Sequence, residues 1–220
     1  MKVELIETAG GDLSIVNSAR VSFDKESELV VAVGEKPKLS ERDAKLIKYL
    51  AEHQHMTPFR HNFIQLRCSV PMFLARQLMK HQAGLTWNEV SRRYVDDVPE
   101  FYWPTAWRER PENGIKQGSG KPLMDTSFWD KVYEEHIRAC KSMYVSMLND
   151  GIAPEMVRMV LPQSMMVDFI WSGNLLAFSH VYNLRSGEGA QVEVREFAEM
   201  LDKVIKPEFP VGWEALKEQE

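Results

Sequence analysis

"NFIQLRCSVPMFLARQLMKH", residues 62–81, runs two hydrophobic periods back to back. Ile64, Leu66, Cys68 and Val70 alternate with Gln65, Arg67 and Ser69, as a strand with one buried face requires. At Pro71 the period lengthens. Leu74, Ala75, Leu78 and Met79 then fall on one side of a helix, Arg76, Gln77, Lys80 and His81 cluster on the opposite arc, and Pro71 suits the first helical position. The strand therefore delivers a helix with one core face and one hydrogen-bonding face. Gly84 is expected to help end it, with "NEVSRRY" (88–94) following as loop or extended chain.

Outward from this stretch, "KVELIE" reads as a first strand and "LSIVNSARVSF" as a short helix or turn. "LSERDAKLIKYLAEH" predicts a helix capped by Ser40 with Asp43 in the reciprocal position, its apolar stripe being Ala44, Leu46, Ile47, Leu50 and Ala51. Residues 108–122, rich in Pro, Gly and charge, predict a mobile surface loop. Helices follow at 125–149 and 154–161, then a strand in "SMMVDFIWS", a helix from Asn174 through Leu184, and "AQVEVREFAEMLDKVI" as a final long amphipathic helix. Strands and helices in this mixed order predict an α+β fold, and 220 residues suffice for one domain with a sizeable core.

Composition narrows the function classes. With 27 Lys and Arg against 32 Asp and Glu, the net charge of −5 gives no general attraction to a nucleic acid polymer. An anionic ligand must meet a local basic cluster, of which Arg76, Lys80, Arg92 and Arg93 are the densest. The apolar runs are too short to span a bilayer and "MKVELIETAGG" lacks the apolar core of a signal peptide, which predicts a cytosolic protein without a membrane partner. Cys68 and Cys140 are too few for a disulfide framework and are read as buried thiols.

Five ordered blocks, "TPFRH" (57–61), "PMFLARQLMKH" (71–81), "NEVSRRY" (88–94), "RMVLP" (158–162) and "NLRSGEGAQVEVREFA" (183–198), together resemble the flavin-dependent thymidylate synthases, and the resemblance begins at "NSARVSF" (17–23). It implies a thymidylate synthase-complementing-like fold, a mixed or antiparallel sheet packed by long helices. It further implies reductive methylation of dUMP to dTMP with a one-carbon unit from methylenetetrahydrofolate, FAD as hydride carrier and NADPH as reductant. By the same resemblance the protein is a methyltransferase of nucleotide biosynthesis and a homotetramer with active sites between subunits, in the cytosol or that of an infected host cell.

Carried over by motif, Gln77, Lys80, Glu89, Ser91, Arg92, Arg93, Arg158 and Arg185 are the expected dUMP-binding residues, Arg185 also acting on the uracil ring as the catalytic group. Thr57, Lys80, His81, Gln82, Glu89, Asn174 and His180 are expected at FAD, with His55 near the flavin ring. These ligands are all anionic, so Arg and Lys forks among neutral donors suit them. The family signature Arg-His-Arg aligns here with Lys80-His81-Gln82, and Leu176 and His180 stand where Arg and Asn are more usual, which leaves a weakly catalytic nucleotide-binding homologue as the alternative.

Competing motifs are weaker. His53, His55 and His61 fit no standard zinc spacing, so no metal is expected. Ser91, His81 and Glu89 lack a glycine-flanked nucleophile elbow, and Trp87 and Tyr94 are better read as core or cofactor wall than as stacking platforms for single strands. Without the blocks around them, Arg158 would be read as pairing with Glu155 and Arg185 with Glu188.

Overall fold

The computed structural model describes residues 1–31, 34, 37–111 and 118–217. Its centre is an antiparallel four-stranded sheet in the order β1-β2-β4-β3, formed by β1 (Lys2–Ala9), β2 (Phe63–Pro71), β3 (Leu85–Glu89) and β4 (Met166–Gly173). The helices are α1 (Asp12–Arg20), α2 (Glu41–Glu52), α3 (Met72–Leu78), α4 (Ser127–Asn149), α5 (Pro154–Val157), α6 (Leu175–Ser186), α7 (Val192–Ile205) and α8 (Pro210–Lys217).

Alternation in β2 works as expected: Ile64, Leu66, Cys68 and Val70 are all buried. Opposite them on β4, Leu66 pairs with Trp171, Cys68 with Phe169 and Val70 with Val167. Trp171 is fully buried and meets Phe178 of α6 and Phe197 of α7, with ring centroids 5.4 and 6.2 Å away. The sheet thus seats one face on α6 and α7. A smaller cluster of Phe101, Ile137, Met165 and Val167 anchors the long α4.

Ser40 caps α2 as the sequence implies, its hydroxyl accepting the Asp43 amide at 3.1 Å. Asn174 caps α6 in the same way through the Ala177 amide. Cys68 is buried, so its thiol is pushed well above its usual range by desolvation. Cys140 is only partly covered and lies 3.7 Å from His136, contrary to the expectation of a buried thiol.

Four local expectations are corrected by tertiary packing. Pro71 is the last residue of β2, paired with Met166, and caps α3 rather than opening it. The helix ends at Leu78, and Gly84, with φ of 75°, serves the turn into β3, a strand of which the sequence reading covered only Asn88 and Glu89, as loop or extended chain. The 154–161 helix is a single turn, α5, followed by a 3-10 turn at Arg158–Val160, because Leu161 is extended before Pro162. Finally α7 is not the last helix. The amides of Val211 and Gly212 at the start of α8 donate to Asp12, some 200 residues earlier, a contact with no local signature.

The expected 108–122 loop lies partly outside the described residues, at 112–117. Its flanks pair at Arg108 and Pro122, and Arg108 also meets the buried Glu193 of α7 at 2.5 Å. Among the described residues no helix is long and apolar enough to cross a membrane.

The tightest backbone approach at a glycine lies between the end of β4 and the turn into β3. A Cβ on Gly173 would fall 2.5 Å from the Gly84 carbonyl oxygen and 2.5 Å from Leu85 Cδ2. Because one neighbour is backbone, Gly173→Ala should destabilise the fold by about 1–3 kcal/mol, read as a lower denaturant midpoint with unchanged slope.

Candidate active site

The pairing of β3 with β4 carries the chain out along the sheet edge from Glu89 to Arg92. Trp87 stacks on Phe169, with centroids 3.5 Å apart and an interplanar angle of 18°, and its indole N–H donates to Glu89 Oε2 at 3.2 Å. The Trp87 ring is therefore a wall of the sheet rather than an open platform. The Val90 amide donates to the Asp168 carbonyl, continuing the edge by one residue.

Beyond it, Glu89, Ser91 and Arg92 join Arg76 of α3, Arg158, Gln163 and Asp168 around a cavity of about 320 Å³. Three guanidinium-bearing residues, beside the carboxylates of Glu89 and Asp168, give this cavity the donor type that an anionic ligand requires. Arg158 Nε donates to the Glu155 carbonyl at 3.1 Å, so it contacts that residue through backbone rather than through an ion pair. The Glu155 carboxylate instead lies 3.6 Å from Arg93, which also covers the exposed Tyr94 ring and does not line this cavity. Arg92 donates to the Asp97 carbonyl at 2.5 Å.

A second cavity, of about 1160 Å³, shares no lining residue with the first. It contains His55 and Thr57, together with Ser22, Arg42, Lys45 and Tyr49. Arg42, Lys45 and Tyr49 recur at i, i+3 and i+7 on α2, a helical period the sequence displayed but which the core stripe of the same helix overshadowed. Tyr49 stacks on His53 at 4.0 Å and meets His55 edge-on at 6.2 Å. Among the described residues no group of three or more His, Cys, Asp or Glu is arranged to hold a metal ion.

The third grouping joins the end of α3 to α6. Arg185 Nε donates to His81 Nε2 at 3.0 Å, and both are half-buried. Burial first, then the charge of Arg185 and then His180, hold the His81 imidazole below its usual pKa. Burial also lowers the Arg185 pKa from its usual value. His81 is thus committed to Arg185, while Ser91 Oγ accepts the Arg93 amide, so no nucleophile–base pair joins Ser91 to His81.

The remaining expected site residues sit nearby in the chain. Lys80, Gln82 and His180 are exposed, Gln77 is half-buried, and Asn174 is held at the α6 cap beside Gly84. Leu176 is buried in the core at 4% exposure. The chain therefore distributes most of the expected residues over three places, with Arg93 outside them. Gln163 and Asp168 are additions that only the folded cavity reveals, and Arg76, which the sequence places in its densest basic cluster, joins them there.

A family model described as thymidylate synthase complementing protein matches residues 4–211. A flavin-dependent thymidylate synthase of Thermus thermophilus is 35% identical over 219 residues, covering 98% of this chain and 75% of the relative. That of Kosmotoga olearia is 35% identical over 215 residues, covering 97% and 88%. Among solved structures, the UMP/dUMP methylase PolB from Streptomyces cacaoi bound with 5-Br dUMP matches with a TM-score of 0.83 at 28% identity, covering 97% of this chain and 93% of that one. Its complex with 5-Br UMP gives 0.82 and 27%, covering 97% and 92%. Because the model and the relatives span nearly the whole chain that builds these three groupings, the chain belongs to the thymidylate synthase complementing family, whose relatives named above are flavin-dependent thymidylate synthases.

Proposed function

We propose that this chain reductively methylates dUMP to dTMP, with methylenetetrahydrofolate as one-carbon donor, FAD as hydride carrier and NADPH as reductant. The convergence of Arg76, Arg92 and Arg158 on one cavity of an acidic chain is the observation that carries the reading. It supports a nucleoside monophosphate, as does the likeness to PolB, a UMP/dUMP methylase solved with a bromouridylate. In this reading Arg92, Arg158 and Ser91 bind the phosphate and sugar, with Gln77, Lys80, Glu89 and Arg93 completing the nucleotide set. Arg185 lies against the uracil and stabilises the negative charge left when N3 loses its proton, a task suited to a fixed guanidinium in a water-poor site.

The larger cavity fits a flavin dinucleotide: cations for a pyrophosphate, hydroxyls for a ribityl chain, and Tyr49 and His55 rings for planar surfaces. His55 and Thr57 would hold it there, with Lys80, His81, Gln82, Glu89, Asn174 and His180 as further contacts. Bound FAD supplies the hydride chemistry, so the chain needs no cysteine nucleophile.

The separation of the expected residues within one protomer supports active sites shared between copies in a homotetramer. So does α4, where Phe128, Trp129, Val132 and Met143 lie within about 100° of one another on a face distinct from the buried Ile137 and Tyr144. Phe128 and Trp129 are 66% and 54% exposed, and such an apolar arc suits a second copy of the chain.

A second reading, a nucleotide-binding homologue with little turnover, is favoured by Leu176, whose burial gives an apolar side chain where the family more often carries Arg. The two readings part in a cuvette. The purified protein should show a flavin spectrum that NADPH bleaches and that recovers as methylenetetrahydrofolate and dUMP yield thymidylate. A protein that takes up dUMP but neither binds flavin nor turns over would establish the second reading.

Arg185→Ala should lower thymidylate formation at least ~100-fold while the flavin spectrum persists. Activity within a few-fold of wild type would remove Arg185 from the uracil. Trp129→Glu should shift the tetramer to smaller species by light scattering and reduce activity with it, because a charge would face a desolvated contact.

A further inference from the structure

We propose that His81 is a positioning residue for Arg185, its unprotonated Nε2 accepting the Arg185 Nε–H and thereby turning the two terminal guanidinium nitrogens toward the nucleotide. The inference rests on the functional reading above and gives His81 a task beyond flavin contact.

The geometry makes the imidazole an acceptor. An Arg N–H can only donate, so at 3.0 Å the facing His81 Nε2 must carry a lone pair, which puts the ring proton on Nδ1. Among the described residues the Arg185 terminal nitrogens have no protein partner, and the two that remain form the planar fork that matches a carbonyl and an adjacent ring nitrogen. An arginine side chain carries rotatable bonds throughout its length, so fixing Nε removes most of the freedom that would otherwise be lost on nucleotide binding.

The fold brings the two together through a tertiary constraint. His81 follows α3 and Arg185 ends α6, 104 residues later. Gly84 holds the intervening turn against α6: a Cβ there would meet Ala177 Cβ and Asn174 Nδ2, each at 3.2 Å. The charged groups acting on His81 are Arg185 and His180, both from α6, and both oppose a second positive charge. Burial acts in the same direction.

The consequence is a pH dependence with a defined sign. Above the titration of His81 the acceptor is present and Arg185 is held. Protonation turns Nε2 into a donor facing a cation, and the contact is lost. Because the folded environment disfavours the imidazolium, this loss falls below the ordinary imidazole value of about 6.5, on the acidic side.

The test measures dUMP dissociation constants on flavin-saturated protein as a function of pH, with turnover recorded separately. Wild type should weaken toward dUMP below pH about 6.5. His81→Gln retains an acceptor that does not titrate, and should flatten that acidic limb. His81→Phe should weaken dUMP about tenfold at every pH, also without an acidic limb. An acidic limb that persists in His81→Gln, or His81→Phe binding dUMP as tightly as wild type with flavin in place, would overturn the proposal. Since the reading is binding rather than turnover, a protein that binds dUMP but makes no thymidylate would refute the proposed reaction and leave this test intact.

Discussion

The smaller cavity and the His81–Arg185 contact both hang from the antiparallel pairing of β2 with β4. That ladder runs from Ile64 opposite Gly173 to Pro71 opposite Met166, and it buries Leu66, Cys68, Phe169 and Trp171 on one face. Its two strands exit into α3, which His81 follows, and α6, which carries Arg185. Its β4 edge also accepts β3, which aims Glu89 and, beyond it, Ser91 and Arg92. A one-residue slip would reverse every inward side chain, so the buried aromatics fix the register and with it the site.

Around this frame the polar groups are sorted by how much water they lose. Largely buried ion pairs, Arg20 with Asp43 and Arg108 with Glu193, hold α1 to α2 and the chain at Arg108 to α7. The guanidinium of Arg185 is bound to a neutral imidazole instead of a carboxylate, so its charge is not cancelled. Under the proposed function, a ligand's developing negative charge would meet an uncompensated, half-buried cation, the condition under which electrostatic stabilisation is largest.

The sequence revealed strands and helices with strong periods. The alternation at Ile64–Val70 and the Ser40 cap appear as read, and the helix expected from Asn174 starts there, with Asn174 as its cap. It understated β3, where Thr86 and Asn88 dilute the apolar signal of an edge strand whose packing depends on the stacking of Trp87 on Phe169. It also missed α8, because the cap that starts that helix is Asp12 at the other end of the chain. The ordered blocks made the family legible, yet no spacing announced that Arg76, Gln163 and Asp168 share a cavity with Glu89, or that Arg42 and Lys45 share another with His55 and Thr57.

The chain's one-dimensional pattern thus determined its class, its principal elements and the family to which it belongs. Periodicity, caps and motif order are local properties that survive without knowledge of partners. Tertiary structure alone decided which side chains meet. His81 faces Arg185 and not Ser91, Arg158 meets the Glu155 backbone and not its carboxylate, and most of the expected site residues divide among three places in the chain. Those outcomes depend on strand register, glycine approaches and burial acting across long separations, and a hydrogen bond between residues 104 apart has no energy until the fold has brought its ends together.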